Sequence, residues 1–109
     1  MAKHTIIGSS RLKEHISAFF YELHNKGVDV DIEPCYLCSG PNIDIIVAEN
    51  KEEIVNKQKE LVENALTIHV IHDGKIGETT QSLIDYAKAN NILKGILRVE
   101  YRHIDTLNL

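Results

Sequence analysis

The segment at residues 66–71 is apolar on both alternations of its side chains, apart from Thr67 and His69. A strand with this pattern is buried on both faces, as happens in parallel sheets that carry crossover helices above and below. The segment is therefore predicted to be the central strand of an α/β sheet.

Other strand-like and helix-like segments alternate around this central strand. Residues 4–7 are apolar and β-prone and end in a glycine-serine turn, and residues 28–32 alternate in polarity, which indicates a strand at a sheet edge. Residues 92–101 are predicted to form the final strand, and residues 104–109 a short tail. A further strand is expected at residues 43–48.

Three helices are predicted between these strands, because apolar residues recur at spacings of three and four. We expect Ser9 or Ser10 to cap the first helix and Gly27 to end it, and we expect Asn50 and Glu53 to cap the second. The apolar stripes comprise Leu12, Ile16, Phe19, Phe20 and Leu23 in the first helix; Ile54, Val55, Gln58, Leu61, Val62 and Ala65 in the second; and Leu83, Ile84 and Ala87 in the third.

Strands and helices that alternate in this way favour right-handed crossovers and a mostly parallel sheet. We therefore expect residues 1–109 to form a single α/β domain. Its predicted architecture is a three-layer α/β/α arrangement around a mostly parallel four- or five-stranded sheet, of the Rossmannoid or flavodoxin-like kind. A chain of this length can bury a core without disulfides or structural metals.

The composition narrows the range of partners. The net charge is −4 with neutral histidines, so the chain lacks the basic surplus that releases counterions from nucleic acid, and no duplex DNA or RNA is expected as a partner. Apolar runs are too short to span a bilayer, and no membrane partner is expected. The first four residues lead into a strand without the pattern of a secretory signal, so a cytoplasmic location is expected.

The two cysteines, Cys35 and Cys38, have a spacing found in redox pairs and in halves of zinc sites. The six histidines are scattered without a matching pair to complete a zinc site. Pro34 and Pro41 around the cysteines indicate a loop rather than a helix start that would lower the pKa of a thiol. We expect reduced, structural cysteines and neither a metal nor a cofactor; a metal shared across a dimer is the alternative.

Two turns that follow predicted strands carry groups suited to a polar or anionic ligand. In doubly wound sheets, ligands bind beyond the carboxyl ends of the strands, where the strand order reverses. These turns supply glycines that allow close approach, hydroxyls, and amide groups at a helix start, where Thr79 or Thr80 is expected to cap the third helix. The predicted ligand-binding residues are Gly8, Ser9, Ser10 and Arg11 in the first turn and Asp73, Gly74, Gly77, Thr79 and Thr80 in the second.

The second turn and its flanking segments resemble the nucleoside 2-deoxyribosyltransferase-like group of Rossmannoid domains, which also includes nucleotide N-glycosidases. The residues that carry the resemblance are, after a helix and a hydrophobic strand, Asp73 and Gly74, then Gly77, Thr79 and Thr80, and then Tyr86 and Ala87 on the following helix. The resemblance implies a nucleoside or nucleotide as the ligand. It also implies a homo-oligomer, because members of the group often complete their sites with a neighbouring subunit.

This chain departs from the group at the catalytic nucleophile. The transferases carry a glutamate four residues before the alanine of Tyr-Ala, and that position here is Leu83. Glu78 is then the only carboxylate expected to act in catalysis, since Asp85 lies about 200° around the helix from Leu83 and is expected to face away. Tyr86 either belongs to the core or stacks on a base, and His72 either ends its strand or titrates near a phosphate.

Two functions follow from these patterns. The first is a small nucleoside- or nucleotide-binding protein, with N-glycosidic bond hydrolysis or transfer as its catalytic form. The alternative, which Leu83 favours, is a non-catalytic, oligomeric binding or interaction module of the same fold. The first requires that the turn after residue 7 and the turn after residue 72 meet to form one hollow.

Overall fold

Four parallel strands form one sheet in the part of the chain that the computed structural model describes, which comprises residues 3–38, 40–91 and 97–104. They are β1 (His4–Gly8), β2 (Val30–Asp31), β3 (Thr67–His72) and β4 (Arg98–His103), in the order β2-β1-β3-β4. The chain moves from β1 to one side and then crosses to the other, so the strand order reverses between β1 and β3. The predicted fold class, with β3 as an internal strand, is confirmed.

The helices of the described residues alternate with these strands. They are α1 (Lys13–Asn25), α2 (Ile43–Glu49), α3 (Lys51–Asn64) and α4 (Glu78–Asn90), with short 3₁₀ helices at Ser10–Leu12 and Pro34–Leu37. None of the described helices is long and apolar enough to cross a membrane.

Two hydrophobic clusters hold helices against opposite faces of the sheet. On one face, α3 and α4 pack on β3 and contribute Val62, Leu83 and Ile84. On the other face, the α1 layer contributes Leu12 and Ile16. Side chains of β1 and β3 enter both clusters, since successive strand residues point to opposite faces. The sheet and the helices on its two faces are the three layers that the sequence predicts.

Several helix ends differ from the sequence predictions. Gly27 does end α1: its φ is +81°, and the amides of Gly27 and Val28 donate to the carbonyls of His24 and Leu23, which is a Schellman motif. The expected side-chain caps are wrong: Ser9 and Asn50 make no side-chain capping bond, Ser10 lies inside the first 3₁₀ helix, and Thr79 and Thr80 lie inside α4, after its N-cap residue Gly77. Asn50 instead donates its amide to the carbonyl of Ile46.

The predicted strand at residues 43–48 is wrong, because this segment forms α2. The strand expected at 28–32 is reduced to β2, at the sheet edge as predicted. The final strand is present but shifted towards the C-terminus, as β4. Its expected first part, at 92–96, and the tail at 105–109 lie outside the described residues.

Candidate functional site

The two turns that the sequence singles out meet where the strand order reverses. The guanidinium of Arg11, after β1, donates two hydrogen bonds to the carboxylate of Asp73, after β3, and the distance from Nη2 to Oδ1 is 2.7 Å. These bonds from Arg11 lower the pKa of Asp73 below its ordinary value. The ion pair therefore joins the two turns and keeps Asp73 charged.

A cavity of about 490 Å³ lies beside this junction. Its walls come from the C-terminal end of β1, the 3₁₀ helix at Pro34–Leu37, and the helices α2, α3 and α4. The predicted site residues that line it are Gly8, Ser9, Ser10, Gly77, Glu78, Thr79 and Thr80. The other three, Arg11, Asp73 and Gly74, do not line it, and the first two are paired with each other.

The start of α4 forms the polar wall of the cavity. Gly77 precedes the helix, and no side chain caps the amides of its first turn. These amides have no partners within a helix, and they stand at the positive end of its dipole. The hydroxyl-bearing residues Thr79 and Thr80 belong to this same turn, and Ser9 and Ser10 face the cavity from the other side. The wall suits a ligand with hydroxyl or anionic groups.

The apolar wall was not predicted as part of a site. Lys51, Ile54, Val55 and Gln58 occupy one face of α3 and line the cavity, whereas the C-terminal half of the same helix packs on the sheet. The stripe that the sequence predicts thus serves two surfaces. A sequence signal does exist, since Gln58 is a polar residue within this otherwise apolar stripe.

A buried hydrogen-bond network lies at the floor of the cavity. The hydroxyl of Tyr36 donates to the carbonyl of Gly8 at 2.8 Å and accepts from Nε2 of Gln58 at 2.7 Å. Burial raises the pKa of Tyr36, so this hydroxyl stays protonated. The network connects β1 to the segment before α2 and to the middle of α3, and it thereby fixes three walls of the cavity.

Removing the Tyr36 hydroxyl should cost measurable stability. We expect Tyr36→Phe to lower the free energy of unfolding by about 2 kcal/mol, because it leaves the Gly8 carbonyl and the Gln58 amide buried without this partner. Urea denaturation followed by circular dichroism measures the change. Tyr21→Phe is the matched control, since Tyr21 is exposed and should change stability by less than about 0.5 kcal/mol. Equal losses in both variants would contradict a structural role for the network.

The acidic residues near the cavity lie where the sequence predicts, because Glu78 lines the cavity and Asp85 does not. Among the described residues that line the cavity, Glu78 is the only acidic one, and it is exposed. Leu83 is buried and contributes an apolar side chain to the cavity floor. Asp85 is exposed, accepts a hydrogen bond from Gln81 and does not line the cavity.

The cysteines lie at the edge of the site without the electrostatics of a redox pair. Cys35 lines the cavity from a 3₁₀ turn, where a loop was expected. Its burial and the neighbouring carboxylate of Glu33 raise the pKa of this thiol to about 12, so it is not a thiolate at neutral pH. Within residues 3–38, 40–91 and 97–104, no group of three or more candidate ligands is placed to hold a metal ion.

The histidines near β3 and the tyrosine of α4 have structural contacts. The ring of His69 is buried, which lowers its pKa, and it stacks on the ring of His4. His72 accepts a hydrogen bond from the Gly74 amide through Nδ1. Tyr86 is half-buried: it packs against the edge of the α3–α4 cluster, and its hydroxyl donates a hydrogen bond to Glu63. None of these side chains lines the cavity.

The site thus combines an apolar wall, a row of hydroxyls, a helix start and one carboxylate in a single hollow. Such a surface fits a small molecule with a flat apolar part and a hydroxyl-rich or anionic part. No family model, no curated protein and no solved structure matches this chain.

Proposed function

We propose that this cavity binds a nucleoside or a nucleotide. The observation that carries the proposal is that the two turns after β1 and β3 share one cavity at the reversal of strand order. This is the place where doubly wound parallel sheets bind their ligands. The volume, about 490 Å³, lies in the range of small-molecule sites.

The two walls suit the two halves of such a ligand. The apolar face of α3, with Ile54 and Val55, together with Leu83 of α4, offers a surface for a planar base. Ser9 and Thr79 stand at the other wall, where hydroxyls and the α4 amides would bind ribose or phosphate oxygens. A bound nucleoside would bury its base against the apolar wall and hydrogen-bond its sugar to the polar wall.

Cleavage of an N-glycosidic bond is the second candidate function. It is favoured by Glu78, which is the only carboxylate in the part of the lining that the structure describes and which lies beside the hydroxyls of the polar wall. A carboxylate there would act as a nucleophile or as a general base for water. The buried Leu83 favours a binding protein without this chemistry, because the residue that serves the transferases is absent.

Thermal unfolding in the presence of nucleosides and nucleoside 5′-monophosphates tests the binding proposal. A compound present at 100 times its Kd stabilises the folded protein by about 2.7 kcal/mol, and the midpoint of unfolding rises accordingly. Thr79→Ala should remove this rise, whereas Ser82→Ala, an exposed substitution on the same helix outside the cavity, should preserve it. Binding by neither class of compound would refute the proposal.

Cleavage of the glycosidic bond is tested separately from binding, by the release of free base. If Glu78 cleaves the glycosidic bond, the protein releases free base from the bound compound, and Glu78→Gln abolishes the release while stabilisation by the ligand persists. Chromatography of the reaction mixture measures the released base. Stabilisation without release in the unchanged protein would leave binding as the function and remove catalysis.

A further inference from the structure

The two edges of the sheet are protected to very different degrees. β2 is only two residues long, and an edge strand this short offers little backbone for pairing with other chains. β4 at the opposite edge has six residues and contains no proline, glycine or lysine. Among the described residues it pairs only with β3, and every residue of it except Val99 is exposed. In the part of the chain that the structure describes, no strand lies beside the outer edge of β4.

We propose that β4 pairs with β4 of a second copy of this chain, antiparallel and around a two-fold axis. A two-fold axis perpendicular to a sheet reverses the strand direction and makes both copies use the same surface. The result is one continuous sheet across two subunits, in which the two β4 strands are the central pair. This surface is separate from the cavity, which β4 does not line.

The side chains of β4 select the register of this pairing. With Tyr101 opposite the partner's Tyr101, five of the six β4 residues pair within the two strands. Arg102 then faces the partner's Glu100, and the symmetry repeats this opposite-charge pair. Cross-strand pairs of opposite charge and of aromatic rings stabilise antiparallel strands, and like charges directly opposite destabilise them. A shift that centres the pairing on Glu100 or on Arg102 would place like charges opposite each other.

The contacts within one subunit are compatible with this arrangement. Glu100 and Arg102 share the α1 face of the sheet, where Oε2 of Glu100 lies 3.5 Å from Nδ1 of His69 and the guanidinium of Arg102 lies over the Phe19 ring. Tyr101 lies on the other face, against the His72 ring, and is 52% exposed. The ion pairs of these side chains within the subunit are long and exposed, so replacing them with pairs across the dimer costs little.

Charge reversal tests the proposal through the mass of the full chain in solution. Sedimentation equilibrium should give twice the monomer mass for the unchanged protein at about 100 μM, which a Kd in the micromolar range allows. Glu100→Arg and Arg102→Glu should each weaken the dimer by about tenfold or more, because each creates like-charge pairs across the axis. The double variant with both changes should restore the dimer, since the opposite-charge pairs return with their positions exchanged.

Lys88→Glu is the control, because Lys88 is exposed on α4, outside β4, and its reversal should leave the dimer intact. Circular dichroism of every variant shows whether the fold is retained, and the double variant keeps the test valid where a single variant unfolds. A monomer at all concentrations would overturn the proposal. A dimer that both single reversals leave unchanged would overturn it as well, and so would a dimer that Lys88→Glu weakens as strongly as they do.

Discussion

Gly8→Ala is expected to lower the free energy of unfolding by about 3 kcal/mol, because the added methyl has no space. A Cβ at Gly8 would lie 2.8 Å from the carbonyl oxygen of Ile71 and 3.1 Å from Cδ1 of Ile16. Gly8 and Ile71 are register partners in β1 and β3, so the oxygen belongs to the neighbouring strand and cannot rotate away. The two central strands must move apart at the point where the cavity begins.

Gly77→Ala is the matched control for this substitution. Gly77 also lines the cavity, but a Cβ there would meet no atom within 4 Å, and the φ of this residue is −69°. The free energy of unfolding of Gly77→Ala should differ from that of the unchanged protein by less than about 0.5 kcal/mol. Urea denaturation of the two variants under the same conditions gives the comparison. If Gly8→Ala were tolerated as well as Gly77→Ala, the close approach of β1 to β3 at this residue would be wrong.

The sheet could be predicted because its central strand has the apolar pattern of a strand buried on both faces. Residues 66–71 are apolar on both alternations apart from Thr67 and His69, and the structure places the corresponding strand, β3, between β1 and β4 with helices on both faces. The alternation of strands and helices then restricts the connections to right-handed crossovers, which gives a parallel sheet. Both signals are local in sequence or follow from general topology.

The wrong strand prediction at residues 43–48 shows a limit of such local sequence signals. This segment is rich in β-branched residues, but a strand also needs an edge to pair with. β1 is flanked on both sides by β2 and β3, and the edge strand β2 is only two residues long. The longer edge at β4 belongs to a strand that comes much later in the chain. The segment forms α2 instead, with Ile45 and Ile46 exposed. Availability of a partner strand is a property of the whole fold, and intrinsic propensity does not contain it.

Part of the site could likewise be predicted from the sequence, and part could not. The hydroxyls and glycines of the two turns could be predicted because each turn follows its own strand and strand ends attract ligands. Tyr36 and Gln58 could not, because their hydrogen bond joins segments 22 residues apart in the chain. The pairing of Arg11 with Asp73 spans 62 residues, and it takes both side chains out of the cavity that was expected to include them. Which polar groups remain for a ligand depends on such tertiary pairings.

Separate glutamate substitutions at two adjacent positions of α4 test which position lines the cavity and which lies in the core. We expect Ile84→Glu to destabilise the protein by more than about 4 kcal/mol, because Ile84 is fully buried in the α3–α4 cluster and does not line the cavity. Leu83→Glu should cost roughly 2 kcal/mol less, because Leu83 also lines the cavity and a carboxylate there can reach water. Leu83→Met, which keeps the side-chain volume, should cost less than about 1.5 kcal/mol.

The pH dependence of these variants gives an independent readout. Burial raises the pKa of an introduced glutamate above its unfolded value of about 4.3, so the folded state holds a proton that the unfolded state releases. The stability of Ile84→Glu should therefore fall, relative to the unchanged protein, as the pH rises above that value. The decline should be smaller for Leu83→Glu. Equal losses and equal pH slopes at both positions would mean that the cavity does not extend to Leu83, which would then lie in the core rather than in the site.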